Sequence, residues 1–115
     1  MRSAEALLRE GHYRSSVSRS YYAAYCAATS EIIKNLSIFL NGWHNPPHEK
    51  VPRYIQNNLT VPQTSKNTLK RLMRILRGFR EDADYRPYRQ VDIQIARDCV
   101  RDARRVQQEF WNRGT

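Results

Sequence analysis

Between Val17 and Leu36 the apolar residues Val17, Tyr21, Ala24, Tyr25, Ala28, Ile32 and Leu36 return at three- and four-residue steps. That period places them on one face of an α-helix, and Ala23 and Ala27 extend the apolar surface onto the flank. A helix this apolar has to be enclosed by other helices, so the rest of the chain must pack around it. No segment shows the strict alternation of a half-buried strand. The spacing predicts an all-α fold, an up-and-down bundle of four to five helices, in which short connections set successive helices antiparallel. At 115 residues, 40% of them hydrophobic, the chain has material for one core, and residues 1–115 read as a single domain.

Glycine and proline mark the joints. Ser3 can cap a first helix bearing Ala4, Leu7 and Leu8, which Gly11 ends; the long helix then runs from about Tyr13 to Phe39. Asn41, Gly42, Trp43, His44, Asn45, Pro46 and Pro47 form a turn cluster, followed by a short helix from His48 to Asn58 with Pro52 in its first turns. Thr64 or Ser65 can cap a fourth helix whose inward stripe is Leu69, Leu72, Met73, Leu76 and Phe79. After a break at Pro87, a last helix from about Gln90 to Trp111 turns Ala96, Cys99, Ala103, Val106 and Phe110 inward. On its outside, Asp98 with Arg101 and Asp102 with Arg105 are spaced as self-neutralising pairs.

Several function classes drop out early. The apolar run Tyr21 to Ala28 is too short to span a bilayer, which needs roughly 20 residues, and the N-terminus lacks a signal-peptide pattern, so a cytosolic protein is expected. Cys26 and Cys99 read as reduced core thiols. There is no glycine-rich phosphate loop, no His-Glu-x-x-His, no Cys-x-x-Cys and no Gly-x-Ser-x-Gly. His44 and His48 lie four apart, but Pro46 and Pro47 between them prevent a shared helical face, so neither a metal nor another cofactor is expected.

Charge points the other way. Twenty Lys and Arg against eleven Asp and Glu give a formal charge of +9 and a pI near 10.1. Such a balance suits a polyanion such as RNA, DNA or nucleotide phosphate, or an acidic protein, and is equally compatible with an ordinary solvated surface. Lys66, Lys70, Arg74 and Arg77 form a basic stripe on one side of the fourth helix, where like charges cost stability unless something answers them.

Two segments can carry chemistry. In Ser18-Arg19-Ser20-Tyr21-Tyr22-Ala23-Ala24-Tyr25, buried phenols need polar partners from elsewhere in the bundle, and Arg19 must pair with an acid or face a cleft. In Arg77-Gly78-Phe79-Arg80-Glu81-Asp82-Ala83-Asp84-Tyr85-Arg86, guanidinium, carboxylate and phenol together can hold a phosphate, position a ribose hydroxyl, or lock a helix end through an internal pair such as Arg19 with Asp84.

Ser-Arg-Ser-Tyr-Tyr-Ala-Ala-Tyr followed by Arg-x-x-Ala-Asp-Tyr, with the Gly11-His12-Tyr13 turn and the His48 helix between, resembles the HEPN superfamily over nearly the whole chain. The resemblance implies a helical bundle that commonly dimerises. Members are often encoded beside a minimal nucleotidyltransferase in toxin and antitoxin pairs, and many are metal-independent ribonucleases. In those nucleases an Arg is followed after four to six residues by a His. Here Arg80 is followed at those positions by Tyr85, Arg86 and Pro87, and Arg77 by Asp82, Ala83 and Asp84. Metal-free cleavage needs a group to take the ribose 2'-hydroxyl proton, the task for which histidine is suited near neutrality.

Three functions follow as expectations. The first is a homodimeric binding module for nucleic acid or a nucleotidyltransferase partner, with Arg19, Tyr22, Arg77, Arg80, Asp84 and Tyr85 lining its cleft. The second is a ribonuclease whose catalytic candidates are Arg80 with His48 or Tyr85, His48 being brought to Arg80 by the fold or a dimer mate. The third is a structural partner subunit bound through the basic stripe.

Overall fold

The computed structural model describes residues 1–34 and 47–111, with the side chain of Trp111 excepted. Five α-helices account for most of the described residues: α1 (Arg2–Arg9), α2 (Tyr13–Lys34), α3 (Val51–Asn58), α4 (Gln63–Tyr85) and α5 (Ile93–Trp111), with a 3-10 turn at His48–Lys50 leading into α3. Each helix packs on the next, the order of an up-and-down bundle, and α2 also lies along both α4 and α5. The helix with the broadest apolar face therefore occupies the centre. Val17, Tyr21, Ala24, Tyr25, Ala28 and Ile32 are all buried, while Leu36, Phe39 and the turn cluster with Trp43 and His44 lie outside the described residues.

The inward residues of α4 and α5 complete the core. Leu69, Leu72, Met73 and Leu76 meet Ala96, Cys99, Ala103, Val106 and Phe110, with Phe79 partly buried at the edge. Burial pushes the Cys99 thiol up to about 12, so it stays protonated and inert. Cys26, expected in the core, is exposed instead, because the apolar faces of α2 leave a gap at that angle. No helix among the described residues is long and apolar enough to cross a membrane.

The helix ends depart from the expected ones in instructive ways. Gly11 does end α1: at φ +82° it occupies the left-handed region, with His12 N–H donating to Leu7 O at 2.8 Å and Gly11 N–H to Leu8 O at 3.2 Å, a Schellman closure. Ser3 does not cap α1, which begins at Arg2 with Met1 in the cap position, two residues earlier. Neither Thr64 nor Ser65 caps α4; Pro62, fixed at φ −56° with an extended ψ, launches the helix at Gln63 and leaves both hydroxyl residues inside the first turn. The last helix starts at Ile93 rather than near Gln90, because the Asp92 carboxylate accepts the Ile95 N–H at 2.9 Å. Outside α5, Asp98 pairs with Arg101 at 3.4 Å as expected. Asp102 turns to Arg101 rather than Arg105, which pairs with Glu109 at 3.1 Å.

Two polar contacts fix α1 against its neighbours. The buried Ser16 hydroxyl on α2 donates to Ala4 O at 2.7 Å, and Arg104 on α5 meets Glu5 at 2.7 Å. The first is sheltered and sets register; the second is exposed enough to contribute little, about 0–1 kcal/mol.

Candidate functional site

Where α2 crosses the second half of α4, the tyrosines of one meet the arginine of the other. Arg80 is only 9% exposed, a burial that opposes its charge. Its guanidinium carbon lies 5.7 Å from the centroid of Tyr21, 5.2 Å from Tyr22 and 5.1 Å from Tyr85, so three π-faces surround it. One terminal nitrogen donates to Tyr22 Oη at 2.6 Å and to Tyr85 Oη at 3.2 Å. Asp84, one turn on along α4, lies 3.1 Å from Nε, off the line of a hydrogen bond, so the contact is an ion pair. Burial works against the cation, but Tyr22, Tyr85 and Asp84 outweigh it and hold Arg80 above the ordinary guanidinium value.

His48 belongs to the same cluster. Its Nδ1 is 2.6 Å from Tyr21 Oη, and its ring packs against Tyr25 with centroids 4.3 Å apart and against Tyr22 at 6.0 Å. The fold thus brings His48 to the aromatic cage of Arg80 within one chain, through Tyr21 and Tyr22. Burial raises the Tyr21 phenol well above its usual range, so it keeps its proton. Burial, helped by the positive field of Arg80 and Arg77, lowers His48, leaving the imidazole neutral at pH 7. The neutral ring has two tautomers: with its proton on Nε2 it accepts from Tyr21 O–H at Nδ1, and with its proton on Nδ1 it donates to Tyr21 Oη. The first leaves a donor at Nε2 that can hold a phosphate oxygen; the second leaves a lone pair at Nε2 that can take a proton.

Other expected site residues fall around this centre. Tyr22 and Tyr85 carry their rings into solvent. Arg77 pairs with Glu81 at 3.1 Å on the flank. Arg19 is exposed and does not pair with Asp84; Arg80 is nearer along the same helix, and Ser18 Oγ donates to the second partner of that pair, Asp84 Oδ2, at 3.2 Å. Arg19 instead borders a cavity of about 450 Å³ with Arg14, Ser15, Ser18 and Asp84.

The basic stripe divides. Lys66 Nζ donates to Gln56 O at 2.8 Å and Lys70 Nζ to Gln56 Oε1 at 2.7 Å, so both answer the end of α3. Arg74 is exposed and carries no ion pair among the described residues. A groove of about 470 Å³ between α4 and α5 holds Arg71, Arg101, Arg104 and Arg105, but the last three are neutralised by Asp98 and Asp102, Glu5 and Glu109. No cluster of three or more His, Cys, Asp and Glu that could hold a metal occurs among the described residues.

Arg14 gave no signal in the sequence. Its guanidinium donates to Asp82 O at 3.0 Å, Ala83 O at 3.2 Å and Arg86 O at 3.4 Å, and to Pro87 O and Arg89 O, tying the end of α4 and the following loop to α2. It adds a donor to carbonyls at a helix end, two of which, Asp82 O and Arg86 O, also accept a backbone N–H. It is also a cation at the negative end of the helix dipole.

Comparison with curated proteins and with solved structures returns no significant match. The tyrosine segment, the Ala-Asp-Tyr segment and the helical bundle that joins them nonetheless agree with one family description. The model of the HEPN domain matches residues 1–112, and the chain belongs to that family.

Proposed function

We propose that this HEPN domain is a nucleic-acid-binding module whose contact surface is centred on Arg80, Asp84 and Tyr85. The observation that carries the reading is Tyr85: 66% of it is in solvent while its hydroxyl rests on a caged, permanently charged Arg80. A ring held at a cationic rim offers a base a face and a phosphate a counter-charge. Exposed Arg19 and Arg74 and the net charge of +9 extend the attraction beyond the cleft. Exposed Ile33, Ile75 and Ile93 support a homodimer. Membership of the family supports a role in the cytosol beside a minimal nucleotidyltransferase in a toxin–antitoxin-like pair. Binding of RNA to the purified protein, titrated against salt, tests the reading. Affinity should fall steeply, with a log–log slope of about −3 if roughly four phosphates of a single strand are contacted. An affinity indifferent to salt, or none at low salt, overturns it.

A metal-independent ribonuclease is the second reading, favoured by the presence of His48 in the Arg80 cluster. Its base requires the tautomer in which Nδ1 donates to Tyr21 Oη and the Nε2 lone pair is open. RNA cleavage in EDTA that vanishes in both Arg80→Ala and His48→Ala supports this reading over pure binding; intact RNA at matched concentration dismisses it. A purely structural subunit docking through the stripe is less well supported, since Lys66 and Lys70 already serve α3.

A further inference from the structure

The last residue of α4 and the loop after it read Tyr85-Arg86-Pro87-Tyr88-Arg89, and they present the two most exposed large hydrophobic side chains among the described residues, Tyr85 at 66% and Tyr88 at 77%. Each ring has a guanidinium over one face: Arg80 over Tyr85 at 5.1 Å and Arg89 over Tyr88 at 5.9 Å. With so much of each ring in solvent, the face away from the guanidinium stands open.

The loop is also pre-shaped. Arg89 N–H donates to Arg86 O at 3.0 Å, closing a turn with Pro87 at its second position and Tyr88 at its third, so the Tyr88 ring projects from a corner. Arg86 holds Asp82 at 2.9 Å from one side, and Arg14 gathers the carbonyls of Arg86, Pro87 and Arg89 from the other. Tyr88 on a turn anchored this way, and Tyr85 on the helix end with its hydroxyl on Arg80, lose little freedom when something stacks on them. Arg89, and Arg19 at the Asp84 cavity, carry no ion pair among the described residues and are available to a phosphate.

We propose that Tyr85 and Tyr88 form a two-ring stacking platform for unpaired bases, which makes the ligand single-stranded nucleic acid rather than a duplex. A duplex keeps its base faces inside its own stack; a single strand can lay neighbouring bases on the open faces while Arg89 and Arg19 meet its phosphates. The inference rests on the nucleic-acid reading above and narrows it from a polyanion to bases that can leave their stack. Tyr88 has no assigned part in the Arg80 network, so it tests the platform without disturbing the cluster.

The experiment is fluorescence anisotropy with a labelled oligouridylate, an abasic strand of equal phosphate count and a duplex of equal length, using wild type, Tyr88→Phe and Tyr88→Ala. Wild type should prefer the oligouridylate over both other probes. Tyr88→Phe should stay within about two-fold of wild type, and Tyr88→Ala should bind the oligouridylate roughly ten-fold more weakly while its affinity for the abasic strand is unchanged. Equal loss on the abasic strand, or no loss on the oligouridylate, overturns the platform. If wild type binds all three probes alike with a steep salt dependence, the platform fails and the nucleic-acid reading stands; binding to none overturns both.

Discussion

In the first half of α4, Lys66 and Lys70 reach sideways to Gln56 on α3, whereas in the second half Arg80 turns inward beneath Tyr21, Tyr22 and Tyr85. Both halves are rich in cations. The lysine stems need only a neighbouring carbonyl and amide oxygen, and their heads stay near water, so they act as clips between helices. Arg80 has given up most of its water and is held by an ion pair, two phenols and three ring faces. Charge near the end of α3 is consumed by the fold; charge at the crossing with α2 is held beneath rings, those of Tyr22 and Tyr85, that are exposed on their other side.

Removing Arg80 should produce the largest effect. Arg80→Leu keeps bulk but leaves Asp84 without its ion pair and both phenols without their donor. The predicted loss is about 3 kcal/mol by urea unfolding, the lower end for a broken buried pair because Asp84 retains some access to water. A loss under about 1 kcal/mol would mean the cage is decoration on a core that stands without it. Arg14→Leu comes next. It strips the carbonyls at the end of α4 of a shared donor, and should cost roughly 1–2 kcal/mol. Faster amide hydrogen exchange at Arg86 and Arg89 would be its local mark, with Leu69 and Leu76 unaffected; uniform acceleration would assign Arg14 to the core rather than to the loop.

The same contrast explains what could be read from residues alone. The apolar steps of α2, α4 and α5 are local, recurring facts, so the helices, their inward faces and the all-α bundle were legible in them. Caps were legible only where the chemistry was single-valued: Gly11 has the conformation its lack of a Cβ permits, but Thr64 and Ser65 lost to Pro62, whose fixed φ starts the helix without a hydroxyl. Within the site, Arg80, Asp84 and Tyr85 stood out because helix spacing brings them together. Arg19 was a plausible partner for Asp84 until packing faced it outward. The contact of Tyr21 with His48 spans 27 residues, and that of Arg14 with Asp82 spans 68; such pairs leave no periodic trace, and the packing of α2 against the turn into α3 creates the first and its packing against α4 the second.

A smaller effect separates the two halves from the other side. Lys70→Met preserves the stem and removes only the head that meets Gln56, so it should cost about 0.5–1 kcal/mol, measured in the same urea series. A loss matching that of Arg80→Leu would erase the distinction between clip and cage. Arg74→Glu, on the unpaired member of the stripe, should leave stability within about 0.5 kcal/mol of wild type while weakening RNA binding. A complex that forms equally well with this variant would remove the stripe from the contact surface.

The smallest effect is a proton. Burial, with Arg80 and Arg77 adding to it and Glu49 offsetting part, sets His48 below the ordinary imidazole value of 6.5 in the folded chain. Below that value the unfolded chain binds a proton that the native state resists, so stability rises with pH across the interval and is lost as pH falls from 6.5 through the folded value. Unfolding midpoints of wild type and His48→Gln, followed between about pH 7.5 and 5, should diverge in that window, wild type losing more on acidification. Parallel curves would show that His48 titrates as a solvated side chain. The comparison of the two halves of α4 then sharpens itself: in Arg80→Leu the field on His48 weakens and the divergence from a matched His48→Gln double variant should shrink, whereas in Lys70→Met, whose charge is directed to Gln56, the divergence should persist at its wild-type size.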